Sequence, residues 1–196
     1  LFDGAQDVLV SALAGGSLSV TVDTQDARIT GGNGRGVPAG NVTEPVLRAA
    51  KADLTGDGLD EVVFATSSDQ PTLQVMSAAN SADPAAGLQF GDPIVVNRML
   101  AVAVGNFFGD GPVVAILVAQ IDASLLLQYY AVNPSLGLAP LPAKTLTLQR
   151  PAGALITVSA SIAVGRFNTV AYDQMLIAVT DFLRTDLLSV DTDANA

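Results

Sequence analysis

The chain contains no cysteine and no histidine. The first absence excludes disulfides and thiolate metal sites. The second excludes the Ser-His-Asp triad, the Cys-His pair, histidine-ligated zinc and the usual proton shuttle near neutral pH. Lysine is scarce as well, with only Lys51 and Lys144 present. An enzyme built on this sequence would work with carboxylates, a lysine or tyrosines. Charged residues make up 14% of the chain, and the net charge is −10. Nucleic-acid partners call for a basic footprint, and anionic lipid attracts basic segments, so both are expected to be absent as partners. An acidic surface does suit a cation. Long apolar runs are missing too. The longest charge-free stretch, 123–143, is broken by Asn133, Pro134, Gly137, Pro140 and Pro142. A spanning helix needs about 20 predominantly apolar residues without such breaks, so no membrane insertion is expected. The sequence opens at Leu1 without a basic, apolar and small-residue leader, and reads as a processed product or an excised fragment.

What the chain does have is 49% hydrophobic residues, 18 glycines and 10 prolines in 196 positions. Short apolar runs between frequent turns indicate an all-β chain large enough for a sizeable core.

The most informative run is Ala52-Asp53-Leu54-Thr55-Gly56-Asp57-Gly58-Leu59-Asp60-Glu61, followed by the apolar Val62-Val63-Phe64-Ala65. Oxygen-bearing side chains stand at Asp53, Thr55, Asp57 and Glu61, the first, third, fifth and ninth places. Alternate residues of a tight loop turn inward together, and Gly58 permits a sharp bend. Calcium takes six to eight oxygen ligands of this kind. Leu59 would add its backbone carbonyl, and Glu61 could bind through both oxygens. An EF-hand needs a carboxylate at place twelve and flanking helices. Place twelve is Phe64, and the β-branched and aromatic flank favours a strand. The alternative for the same residues is a turn that Asp and Gly stabilise without metal. Against it stands the mutual repulsion of the three candidate ligand carboxylates, Asp53, Asp57 and Glu61, within nine residues.

The run resembles the calcium loop of FG-GAP repeats, the blades of integrin α-subunit-like β-propellers, whose pattern is Asp, any, Asp/Asn, any, Asp, Gly, any, any, Asp and then a hydrophobic strand. Asp53, Asp57 and Gly58 match; Thr55 and Glu61 replace an Asp or Asn and an Asp while keeping an oxygen. The resemblance implies a propeller of four-stranded antiparallel blades and a structural, non-catalytic calcium ion.

Weaker copies recur. Asp3, Gly4 and Asp7 fall on Asp57, Gly58 and Glu61, giving a second, weaker candidate site at Asp3 and Asp7. Asn106, Asp110 and Gly111 fall on Asp53, Asp57 and Gly58, with Phe108 and Val114 at the third and ninth places. In the fourth copy Arg166 takes the first place and the Asp-Gly pair is gone. Lead strands are expected at 46–52, 100–104 and 157–164. Second strands are expected at 7–12, 62–66, 113–119 and 175–180, and third strands at 18–22, 73–77, 125–132 and 187–190. Fourth strands are expected at 27–30, 94–96 and 145–148. Four strands at a period near 50 residues are the pattern of propeller blades. About four blade cores result, near 1–45, 46–97, 98–150 and 151–196. These make a partial propeller, completed by further sequence or by another chain.

Gly34-Arg35-Gly36 lies in a glycine-rich stretch, 31–40, that reads as a mobile connection rather than a dinucleotide loop, since Pro38 and Gly40 oppose the helix such a loop opens. Asn41-Val42-Thr43 is a glycosylation sequon, and Pro134 blocks the one at Asn133. Phe90, Phe107, Phe108, Tyr129 and Tyr130 read as core, and Asp122, Asp173, Asp181 and Asp186 as solvated turn acids. The function expected is a calcium-stabilised, secreted binding, adhesion or scaffold module for a protein or carbohydrate ligand. The alternatives are part of a secreted propeller enzyme or toxin, or a structural subunit of a larger assembly.

Overall fold

The structure, a computed structural model, describes residues 7–12, 18–23, 37–42, 46–66, 71–78, 88–157, 159–169 and 171–191. The fold is all-β. Among the described residues the strands form four antiparallel sheets, each built on a meander of sequence neighbours. The first holds β1 (Asp7–Ala12), β2 (Leu18–Asp23) and β3 (Val37–Val42). The second holds β4 (Val46–Ala52), β5 (Glu61–Thr66) and β6 (Thr72–Ala78), with β7 (Leu88–Phe90) and β8 (Ile94–Val95) both paired to β6. The third holds β9 (Met99–Gly105), β10 (Val113–Ala119) and β11 (Leu125–Val132), with β12 (Leu138–Pro140) and β13 (Leu146–Leu148) both paired to β11. The fourth holds β14 (Ser159–Gly165), β15 (Gln174–Thr180) and β16 (Thr185–Val190). Among the described residues the only helical segment is a 3-10 turn at Pro142–Lys144, and no helix is long and apolar enough to cross a membrane.

Two expectations about strands are corrected. The fourth strands are not single: in the second and third sheets each is two short pieces laid along the third strand. The expected strand at 27–30 lies outside the described residues. Residues 37–42, read as part of a mobile connection and its sequel, form β3 instead. Pro38 is tolerated because β3 lies at the sheet edge, opposite a register shift between Val20 and Thr21.

Burial explains why the strand runs are so apolar. β10 is covered on both faces. Val114, Ile116 and Val118 pack with Val63, Ala65, Leu73 and Val75 of the second sheet. Ala115 and Leu117 pack with Met175, Ile177 and Val179 of the fourth. A strand buried on both faces cannot alternate apolar with polar, and Val113-Val114-Ala115-Ile116-Leu117-Val118 does not. Among the described strands, different sheets come closest at their lead strands, β4 beside β9 and β9 beside β14. Residue size permits this. Ala50 and Ala52 meet the layer of Val102 and Val104, and Ala101 and Gly105 meet that of Ile162 and Val164.

Tyr129 sits in the core between the third and fourth sheets, its ring 5.7 Å from that of Phe107 and 4.8 Å from that of Phe108. Its hydroxyl is buried without a hydrogen-bond partner, and that burial pushes its pKa far above the usual phenol value. An unsatisfied buried hydroxyl costs about 1–3 kcal/mol. Tyr129→Phe keeps the ring contacts and removes the orphan oxygen. It should raise the melting temperature by roughly 2–4 °C per kcal/mol recovered, as a thermal melt would show.

Asp181 and Asp186, read from sequence as solvated turn acids, instead close around Arg150, Asp181 buried and Asp186 nearly so. The guanidinium donates to Asp181 Oδ2 at 2.8 Å, to Asp186 Oδ2 at 2.8 and 3.1 Å, and to the Leu155 carbonyl at 2.6 Å. Asp181 also accepts the N–H groups of Leu155, Leu183 and Arg184. These backbone donors, Leu183 and Leu155 first, hold its carboxyl well below the usual range. The cluster ties the segment entering the fourth sheet to its β15–β16 turn.

Candidate functional site

The chain leaves β4 at Ala52 and enters β5 at Glu61, and these two residues stand opposite each other. Gly56 and Gly58 take left-handed φ values of 79° and 87°, a region open to glycine at no steric penalty. Asp53 accepts the N–H groups of Gly56 at 2.7 Å and Asp57 at 3.1 Å on Oδ1, and that of Gly58 at 3.0 Å on Oδ2. Asp57 accepts the Leu59 N–H at 2.9 Å. Lys51 pairs with Asp60 at 2.6 Å.

Glu61 is fully buried. Its Oε2 accepts the N–H groups of Leu54 at 2.8 Å and Thr55 at 3.0 Å. Its Oε1 accepts the hydroxyls of Thr55 at 3.2 Å and Ser77 at 3.4 Å. Burial pushes the Glu61 carboxyl up from its ordinary value. The Leu54 and Thr55 donors pull it back, and the Asp57 charge adds to the rise.

All five predicted ligand residues, Asp53, Thr55, Asp57, Leu59 and Glu61, thus lie in one turn. Asp53 and Glu61 anchor its two ends, and Asp57 is at its exposed tip. Of the second candidate pair, Asp3 lies outside the described residues, and Asp7 opens β1 opposite Asp23. Asn41 of the sequon lies in β3 opposite Ser19. The donor set of the 53–61 turn is one of hard oxygens, which suits calcium. In the arrangement seen here those carboxylates are directed at the loop's own N–H groups. Among the described residues no three acidic side chains are grouped closely enough to hold a metal ion.

The turn recurs. Asn106 Oδ1 accepts the N–H groups of Gly109 at 2.8 Å and Gly111 at 3.3 Å, with φ values of 85° and 113° at those glycines. An amide oxygen here does what the Asp53 carboxylate does. Pairing of Gly105 with Val113 places Val113, not Val114, where Glu61 stands, because this turn is one residue shorter. In the fourth sheet Gly165 pairs with Gln174. Buried Gln174 accepts the Phe167 N–H at 3.0 Å, as Glu61 accepts that of Leu54. This role of Gln174 was missed in the sequence; counting nine places from Arg166 finds it. Asp173 joins the last two turns, its Oδ2 accepting the Asn106 N–H at 2.8 Å while its own N–H donates to the Asn106 carbonyl at 2.8 Å.

Between the 53–61 turn and the third sheet lies a cleft of about 480 Å³, lined by Asp53, Thr55, Phe108, Asp110, Leu141 and Lys144 among others. The Lys144 ammonium lies 4.9 Å from the centre of the Phe108 ring, a cation–π contact at its wall. No protein-family model, curated protein or solved structure matches this chain.

Proposed function

We propose that the chain is a segment of a secreted β-propeller that serves as a binding or scaffold module, with calcium bound at the 53–61 turn. The observation that carries the propeller reading is the recurrence of one turn in three successive sheets whose lead strands lie side by side. Sheets that approach most closely at their lead strands and pack their next strands through side chains suit blades fanned about an axis. The cleft between two such turns offers acids, an aromatic ring and a cation to a protein or carbohydrate ligand. A screen for glycan binding run beside one for glycan cleavage separates this module from a propeller enzyme.

A second reading of the turn is favoured by the bonds of Asp53 and Glu61, which close the loop without an ion. Melting in calcium against melting in chelator decides between them. At calcium a hundredfold above its Kd, binding adds about 2.7 kcal/mol, a rise of roughly 5–10 °C. Asp57→Ala should abolish that rise. In chelator the same variant loses one exposed bond to Leu59 and should melt within about 1 kcal/mol of the parent. Identical curves with and without calcium would leave the hydrogen-bonded hinge as the whole role of the turn.

A further inference from the structure

We propose that one end of the third and fourth sheets rests on a phospholipid bilayer of zero net charge, with the apolar tips of two hairpin turns inserted and no strand spanning it. The inference goes beyond the proposed function and depends on neither the ion nor the propeller reading.

Two turns build this end, at the ends of β10 and β15 away from the recurring turn. The first, 120–124, is closed by the Gln120 N–H on the Ser124 carbonyl at 3.0 Å. The second, 181–184, is closed by the Asp181 N–H on the Arg184 carbonyl at 3.0 Å. An aspartate fixes each of them. Asp122 Oδ1 accepts the Ser124 N–H at 3.0 Å and the Ser124 hydroxyl at 2.6 Å. Asp181 Oδ1 accepts the N–H groups of Leu183 at 2.8 Å and Arg184 at 3.0 Å. An aspartate bonded to the backbone two residues on stabilises a turn from its own position, which relieves the tip of that task.

The tips are large and apolar. Ile121 is 85% exposed, and Phe182 and Leu183 are each 79% exposed. Glycine, asparagine, aspartate, proline and serine are the usual residues of such places. Side chains this exposed add nothing to the packing of the chain, and several together mark a surface that receives them. The segment 149–157 joins the two turns. Leu148 pairs with Leu125, so the segment starts beside the first turn. It is tied to the second by the Leu155 N–H on Asp181 Oδ2 at 3.0 Å and by Arg184 Nη2 on the Pro151 carbonyl at 3.0 Å. Its own Leu155 and Ile156 are exposed as well.

Shape and charge decide the occupant. Beside the first turn lies a polar hollow of about 200 Å³, lined by Asp122, Ser124, Gln149 and Arg150 among others. A protein groove closing over the tips would strip water from Asp122, whose bonds to Ser124 hold it ionised. In a bilayer, apolar side chains reach the acyl boundary while polar groups beside them stay among hydrated headgroups. The charges here balance. Arg150 and Arg184 pair with Asp181 and Asp186. Exposed Arg98, whose carbonyl accepts the Ala119 N–H beside the first turn, offsets Asp122. A balanced end suits a headgroup that carries both signs, whereas a chain of net charge −10 is repelled by anionic lipid. The surface that fits is therefore of the phosphatidylcholine type.

Cosedimentation of the whole chain, in chelator, with phosphatidylcholine vesicles tests this. The parent should bind, and replacing part of the lipid by phosphatidylserine should not strengthen binding. Phe182→Ser with Leu183→Ser should weaken binding roughly tenfold or more, with an unshifted melting curve because both side chains face solvent. Leu187→Ser, which removes an exposed apolar residue of β16 away from the tips, should bind as the parent does. The chain has no tryptophan, so Phe182→Trp reports from one tip, and its emission should shift to the blue when the vesicles are added. A parent that stays in the supernatant would overturn the proposal while leaving the calcium-dependent melt unaffected. Binding seen only with phosphatidylserine would overturn it, as would a double variant that binds like the parent. Self-association of the parent without vesicles, abolished in the double variant, would assign the tips to a second copy and overturn it too.

Discussion

Arg150→Ala should lower stability by about 3–5 kcal/mol and the melting temperature by roughly 6–20 °C, the largest single effect expected in this protein. The size follows from what the guanidinium leaves behind. Its side chain is buried, and it donates to two carboxylates, the Leu155 carbonyl and the Thr157 hydroxyl. Removing one partner of a buried ion cluster strands the remaining charges, and that penalty exceeds what the cluster adds over an apolar core. Arg150→Lys should recover little, because an ammonium cannot reproduce the planar fork that reaches Asp181 and Asp186 together. Acid adds a second readout. The Asp181 carboxyl lies below its ordinary value of 3.8, chiefly through the Leu183 and Leu155 N–H groups. A depressed acid contributes stability in full above its unfolded value and loses it as the pH falls through the folded one. Melting temperature should therefore fall steeply below about pH 4, and more gently in Arg150→Ala, where part of that support is already gone. Equal slopes would show that the guanidinium does not stabilise the ionised form.

Glu61 gives the second large effect and separates its two roles. Glu61→Ala strips the acceptor from the Leu54 and Thr55 N–H groups in a buried place, at about 3 kcal/mol and roughly 6–12 °C. Glu61→Gln should do almost no harm in chelator. Its amide oxygen can accept both N–H groups, while its NH₂ donates to the Thr55 and Ser77 hydroxyls, which accept as readily as they donate. Gln174 already holds the equivalent place in the fourth sheet. The pH sign is opposite to that of Asp181. A carboxyl raised above its ordinary 4.5 favours folding in full below that value, and this contribution is lost as the pH rises through the folded one. Glu61→Gln should remove that decline and, in chelator near neutral pH, melt at or slightly above the parent. If the turn binds calcium as proposed, the order should reverse in calcium, since the amide has no charge to hold the ion. If Glu61→Gln in chelator melts as low as Glu61→Ala, the hydrogen-bond account of this residue is wrong.

Much of the candidate site was legible because its parts are close in sequence. Gly56 and Gly58 mark the two left-handed residues, and Asp53 supplies an acceptor within reach of three N–H groups. Such contacts span five residues or fewer, so spacing alone implies them. Val113-Val114-Ala115-Ile116-Leu117-Val118 was equally legible, since a strand covered on both faces has no polar positions to offer. The orientation of Glu61 was not legible. A glutamate at that place can turn toward the loop tip or into the core, and Ser77, sixteen residues on, helps to hold it inward. Asp181 and Asp186 read as turn acids because nothing nearby in sequence marks Arg150, which is 31 residues from one and 36 from the other, as their partner. Residues 37–42 misled because Pro38 and the glycines argue for a loop, while an edge strand admits a proline that an inner strand would reject.

By itself, then, the order of residues determined where the first three strands of each later sheet extend, where the chain bends between them, and that one turn is repeated, because these depend on side-chain alternation and on backbone freedom at glycine. Only the folded arrangement decided which faces of the last three sheets are covered and which acids are buried. Burial and pairing between distant segments depend on what packs on what, and that is set by the stacking of whole sheets rather than by any local run of residues.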